Sequence, residues 1–257
     1  MALSTIAADL STWRPQRFGG GSIRKVADPL IEPAWEGLRV LVRVGLDDPA
    51  VPPLPAGGSG SSGGSGSVGG SGLSVTVLDE DGEPLTELDD LTEAIAAAAV
   101  AAGSTSLVLD GYLTGQATQP GEGLMLPGTD APSVGSMATQ LFLGSRGGGR
   151  DHVRDVERAS AARAASGPLA FVAIDLLLVD DERTIQLPLL ERKRLLDSAF
   201  AEGELVRRTP FIRPPVDQWM ATWRGMGFGW LAYKSANSRY RPGERNPAWA
   251  TIRIPQR

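Results

Sequence analysis

The alternation of apolar and polar positions divides the chain into short strands and a few helices. Residues 38–44 (Leu-Arg-Val-Leu-Val-Arg-Val) interleave arginines with branched apolar side chains and predict a strand. Residues 73–78 predict its antiparallel partner. Between the two lies a tract at 57–72 that is almost pure glycine and serine. Such a tract buries nothing. It reads as a disordered insertion in a hairpin, which a fold tolerates because loop closure costs grow slowly with length; an engineered linker has the same composition. Residues 88–102 predict a helix, with Asp89 and Asp90 at its start, an alanine-rich body and Gly103 just past its end. Residues 107–113 predict a strand and 115–135 a long Pro/Gly loop, and 151–165 have helical composition with mixed charge. The apolar run at 169–179, broken by Asp175, predicts a buried central strand. An amphipathic helix follows at 189–200, entered through Pro188, and another at 216–226. Residues 230–235 and 250–254 predict closing strands. Residues 1–29 read as an arm laid over the domain. Antiparallel hairpins mixed with helices, without a βαβ repeat, make the expected class α+β.

Composition narrows the chemistry. The chain has 257 residues, enough for a large core, and no cysteine, which removes disulfides, thiolate metal sites and cysteine nucleophiles. That fits a reducing compartment, and cytoplasmic localisation is the expectation. No apolar run is long enough for a membrane helix and no secretory leader is visible, so no membrane partner is expected. Lys25, Lys193 and Lys234 are the only lysines; the only histidine, His152, lies in a charged segment of helical composition that reads as exposed, which makes it a poor base for a Ser/His/Asp triad or a histidine metal cluster. Gly147-Gly148-Gly149 lacks the lysine and helix start of a phosphate loop. The net charge is −5, yet from Glu204 to Arg257 ten Lys/Arg face three Asp/Glu. That basic C-terminal region is a candidate nucleic-acid surface, or a solvated face with no ligand.

Short motifs recur in a fixed order: Glu32-Pro33-Ala34-Trp35-Glu36-Gly37-Leu38-Arg39, Asp79-Glu80-Asp81-Gly82, Asp110-Gly111-Tyr112, Phe171-Val172-Ala173-Ile174-Asp175, Gly229-Trp230-Leu231-Ala232-Tyr233-Lys234, Arg239-Tyr240-Arg241-Pro242-Gly243 and Trp249-Ala250-Thr251-Ile252-Arg253. Together they resemble the adenylation (nucleotidyltransferase) domain of ATP-dependent DNA ligases, in degenerate form, from about Leu30 to Pro255. The resemblance implies a nucleotidyltransferase fold of antiparallel sheets flanked by helices, with residues 1–29 as the arm and 30–257 as the domain. Because the chain ends soon after the fifth motif, the expectation is a stand-alone domain without the OB-fold that follows in ligases.

The frame is present and the chemistry is depleted. In the family, the first motif carries a lysine that attacks ATP; here that position is Ala34. The second motif has an arginine where this chain has Glu80. The third and fourth carry carboxylates that direct the metal; here they are Tyr112 and Gly229. Of two lysines in the fifth, one is Thr251 and the other is replaced by Arg253. The resemblance leaves Glu32, Arg39, Phe171, Lys234 and Arg253 as candidate nucleotide-binding residues, with no catalytic residue and no metal ligand. Asp79 with Asp81 makes either an acidic hairpin turn or, less in keeping with so short a motif, a metal site. Asp175 reads as a satisfied buried carboxylate rather than a base. The family uses ATP and magnesium; these losses predict that neither is required here. The expectation is a pseudoenzyme that keeps a nucleotide-binding, nucleic-acid-binding or protein-scaffold role. The alternative is an active ligase or nucleotidyltransferase with another nucleophile, Lys234 first, or with parts supplied by a partner chain.

Overall fold

The computed structural model describes residues 10–46, 72–115 and 169–255. The loop expected at 115–135, the helix expected at 151–165, His152, Gly147–Gly149 and all but Gly72 of the Gly/Ser tract lie outside the described residues.

The larger sheet has the order β4-β3-β5-β6-β7, with β8 parallel to β6. Its strands are β3 (Leu38–Val44), β4 (Val75–Leu78), β5 (Leu107–Thr114), β6 (Ala170–Val179), β7 (Glu182–Arg183) and β8 (Val206–Arg208). β3 and β4 pair antiparallel, Leu41 with Leu78 through Val44 with Val75. The Gly/Ser tract thus connects two neighbouring strands of one sheet. The smaller sheet has the order β11-β9-β2, all antiparallel, from β2 (Pro29–Pro33), β9 (Trp230–Ser235) and β11 (Trp249–Arg253). A two-residue parallel ladder joins β1 (Arg17–Phe18) to β10 (Arg245–Asn246) and ties the arm to the domain. The helices are α1 (Asp89–Ala101), α2 (Leu189–Ala199) and α3 (Asp217–Gly225). No helix among the described residues is long and apolar enough to cross a membrane.

Alternation decides which residues each face of the larger sheet buries. Val40, Val42 and Val44 share one face with Leu107, Leu109, Leu113, Phe171 and Ala173, and α1 covers it with Leu91, Ile95 and Ala99. The opposite face carries Leu41 and Val108, and it packs on Leu30 of β2, Trp249 of β11 and the arm residues Leu10 and Trp13. A third cluster fills the space between β2, β6 and α3 with Ile31, Val172, Ile174, Trp223 and Leu231.

Two glycines of the motifs have plain steric reasons. The ring of Phe171 lies 2.3 Å from where a Cβ on Gly111 would be, so any side chain there would displace a fully buried aromatic. Gly37 has φ +145°, and its Cβ would fall 2.1 Å from the carbonyl oxygen of Leu113. Just before it, Trp35 is anchored by Nε1–H donating to Thr209 Oγ1 at 2.9 Å and by an edge-on contact with Phe228. These contacts fix the course of the chain past Ala34.

Candidate functional site

Register brings the motif positions of the smaller sheet onto one face. Leu30 pairs with Lys234, Glu32 with Ala232, and the Ala34 amide donates to the Trp230 carbonyl. On the other side of β9, Trp249 pairs with Lys234, Thr251 with Ala232 and Arg253 with Trp230. Glu32, Ala34, Trp230, Lys234, Thr251 and Arg253 therefore share a face.

The inner half of this face is a buried ion cluster. Glu32 bridges two ammonium groups, Lys234 Nζ at 2.6 Å and Lys193 Nζ at 2.6 Å, and all three side chains are 1–2% exposed. Lys193 arrives from α2, and Lys234 also lies 4.4 Å from the centroid of the Trp249 ring. Burial pushes the Lys193 amine below its ordinary value, with Lys234 adding to the shift and Glu32 opposing it. The two residues expected to hold a nucleotide, Glu32 and Lys234, thus satisfy each other. Sequence reasoning did not place Lys193 here, since a lysine on an amphipathic helix reads as a solvent-facing residue. The scarcity of lysines was the one available signal.

A second network occupies the polar face of the larger sheet. β-bulges in the β5–β6 pairing set Asp110 directly opposite Asp175. Like charges across a ladder repel, and each is neutralised by its own arginine fork. Arg39 grips Asp110 through Nε at 2.5 Å and Nη2 at 2.6 Å. Arg192 grips Asp175 through Nε at 2.8 Å and Nη2 at 2.7 Å, and also donates to the carbonyls of Leu187 and Ser238. Tyr240 donates its hydroxyl to Asp110 at 2.7 Å, and its ring packs edge-on against Trp249. The carboxylate pair is consequently structural, with no free oxygen pair to accept a substrate proton.

The five candidate residues fall into four groups. Glu32 and Lys234 meet in the ion cluster. Arg39 lies across Tyr240 and Trp249 from them, and its remaining Nη1 donates to the Tyr112 hydroxyl at 2.7 Å. Arg253 is exposed at the outer end of β11. Phe171 stands apart, on the opposite face of the larger sheet, packed edge-on against Phe200.

A cavity of about 400 Å³ opens beside Arg39. That size suits a small ligand. Its walls are Glu80 and Asp81 from the β4 turn, Tyr112 from β5, Gly243, and Arg14 to Phe18 from the arm. Asp79 closes the turn by accepting from the amides of Asp81 and Glu83, at 2.9 and 2.8 Å. One oxygen is thereby committed to turn formation. Arg17 donates to the Gly243 carbonyl and Arg14 to the Ser11 and Trp13 carbonyls.

Desolvation raises the Glu80 carboxyl above the usual range, opposed by the charge of Arg39 and reinforced by Asp81, Asp110 and Asp79. A carboxyl raised in the folded state favours folding while protonated and loses that advantage as pH rises through its folded value. Glu80→Gln should therefore be more stable than the parent at pH 7, and the difference should vanish once pH falls below the ordinary carboxylate range. Because Glu80 keeps contact with solvent, the gain should be small. Thermal midpoints of both proteins across pH 3–8 check this; a variant that is less stable at neutral pH would contradict it.

Among the described residues no group of three His, Cys, Asp or Glu side chains is arranged to hold a metal ion. Tyr112 and Gly229 stand where the ligase resemblance calls for carboxylates, and among the described residues a Cβ on Gly229 would meet only Glu36, at 3.6 Å. Burial raises the Glu36 carboxyl above its ordinary value.

No protein-family model matches the chain, and no curated protein matches it. Solved structures do. The ligase domain of LigD from M. tuberculosis is similar with a TM-score of 0.56 and 19% identity, covering 95% of this chain and 60% of that one. A mycobacterial DNA ligase D complexed with ATP and MES is similar with a TM-score of 0.54 and 21% identity, covering 94% and 60%. At these identities the likeness shows the fold: the chain has the α+β fold of the adenylation domain of ATP-dependent DNA ligases, and it spans about 60% of the length of these two structures.

Proposed function

We propose that this chain is a ligase-type adenylation domain that does not form lysyl-AMP and serves as a binding module. The observation that carries this reading is the fate of its lysines. Lysine attack on the α-phosphate needs an accessible amine aligned with the nucleotide. The position for it is Ala34, and the two lysines nearest are locked on Glu32 at 1–2% exposure. Lys25 lies on the surface, in the short 3-10 turn Ile23–Lys25.

What the domain retains supports binding. The cavity offers Arg39 and the Tyr112 ring to a small ligand, with Glu80 disfavouring a triphosphate. Glu32 and Lys234 contribute by holding α2 against the smaller sheet through Lys193, Phe171 as core, and Arg253 as an exposed cation. Neither ATP nor magnesium is needed for this role. The basic C-terminal surface suits nucleic acid, and a protein partner is the other occupant. Incubation with labelled ATP, magnesium and nicked duplex DNA should give neither a labelled protein band nor a sealed strand; either product would refute the proposal.

One observation favours the rival reading of an active enzyme. Lys193 is the lysine whose amine is pushed toward the neutral form, the property a lysine nucleophile needs. Loss of any labelled adduct in Lys193→Arg would identify it.

A further inference from the structure

Trp230 is the most unusual residue on the shared face of the smaller sheet. It is 41% exposed at the first position of β9, while Ala232 and Lys234, which follow on the same face, are buried. Its cross-strand neighbours are Ala34 on one side and Arg253 on the other. Among the described residues the indole and the Arg253 guanidinium make no hydrogen bond, ion pair or ring contact. The neighbouring positions on the same face, Ala34 and Thr251, carry small side chains. Arg224 reaches the Pro255 carbonyl just beyond Arg253 and adds positive charge at this end of β11. Glu36, next to Gly229, is the acidic neighbour.

An exposed aromatic beside a cation that has no partner among the described residues matches the chemistry of a planar ring that carries a phosphate. A free nucleotide would leave most of its surface in water here, because the ledge covers one face of one ring, whereas small-ligand sites bury most of their ligand. A strand gains from each base and each phosphate in turn.

We propose that Trp230 and Arg253 form a ledge for single-stranded nucleic acid, one base stacking on the indole and the adjoining phosphate meeting the guanidinium. The proposal rests on the binding-module reading and deepens it by naming the occupant. No step of it requires ATP, so it is tested apart from lysyl-AMP formation.

The test is fluorescence anisotropy of a labelled single-stranded oligonucleotide with the intact chain. The parent should bind it more tightly than a nicked duplex of the same length. Trp230→Ala should weaken binding about ten-fold, in line with the stacking value of one base. Trp230→Phe should keep most of the affinity, and Arg253→Ala should weaken binding and lower the salt dependence by about one phosphate contact. Excess AMP should not displace the strand. Thermal midpoints near the parent's will show that the variants fold. Absence of binding by the parent, equal binding by Trp230→Ala, preference for duplex, or displacement by AMP would each overturn the proposal. A lysyl-AMP adduct with strand binding intact would instead refute the pseudoenzyme reading and leave the ledge standing.

Discussion

Replacing Glu32 with alanine is expected to cost roughly 3–5 kcal/mol of folding stability, the range for removing one partner of a buried ion pair. Two ammonium groups, each 2.6 Å from this carboxylate and at most 2% exposed, would then share a site with no counter-charge. One could shed its proton, and Lys193 is already pushed that way; that relief is partial, because Lys234 and the desolvation remain. Glu32→Gln should be nearly as damaging, since it keeps the shape and removes the charge. A triple variant, Glu32→Leu with Lys193→Met and Lys234→Met, should recover much of the loss, because a well-packed apolar replacement of a buried cluster is often neutral or better. The exposed Arg194–Glu191 pair provides the contrast: breaking it should change stability by less than about 1 kcal/mol. Urea unfolding of the five proteins gives the comparison. A Glu32→Ala loss no larger than the Arg194–Glu191 one would mean that the lysines find water, and that the cluster is no keystone of the fold.

The second large effect concerns chemistry. Ala34→Lys alone is expected to yield no detectable lysyl-AMP. The restored amine would stand beside Trp230 on the sheet face, but the phosphates would arrive without the metal-directing carboxylates at Tyr112 and Gly229, and with Glu80 in the adjoining cavity. Loss of one preorganised electrostatic group typically costs a factor of about 10²–10³, and parts of one site act together rather than additively. The fourfold variant, Ala34→Lys with Glu80→Arg, Tyr112→Glu and Gly229→Glu, should therefore exceed the single one by at least about a thousand-fold in adduct formed per unit time. Space for a side chain exists at Gly229, whose Cβ would make an ordinary contact with Glu36. Robust adduct formation by Ala34→Lys alone would mean that the nucleophile was the site's only defect.

Periodicity made the larger elements legible. The β3 pattern, the bounds of α1 and the apolar run of β6 appear in the structure within two residues of their expected ends. Strand β2 escaped notice because prolines bound it at both ends, and proline argues against a strand until its edge position is known. The two-residue ladders of β1, β7 and β10 are too short to leave a period in sequence. The motif order pointed to the fold, yet it does not say which way a side chain faces. Phe171 illustrates this. β6 is buried on both faces, so alternation is masked, and the bulges opposite Val108–Gly111 shift the register further. The ring consequently lies behind Gly111 rather than beside Arg39. Glu32 and Lys234 were legible as partners of a common site, but the second ion pair, from Glu32 to Lys193, depends on where α2 packs, a tertiary fact with no local signature.

Intact-mass spectrometry of the parent chain after incubation with ATP and magnesium tests the central claim most directly, with peptide mapping of Lys25, Lys193 and Lys234. The account predicts a single species at the mass of the unmodified chain. A species heavier by one AMP, mapped to Lys193 or Lys234, would contradict it.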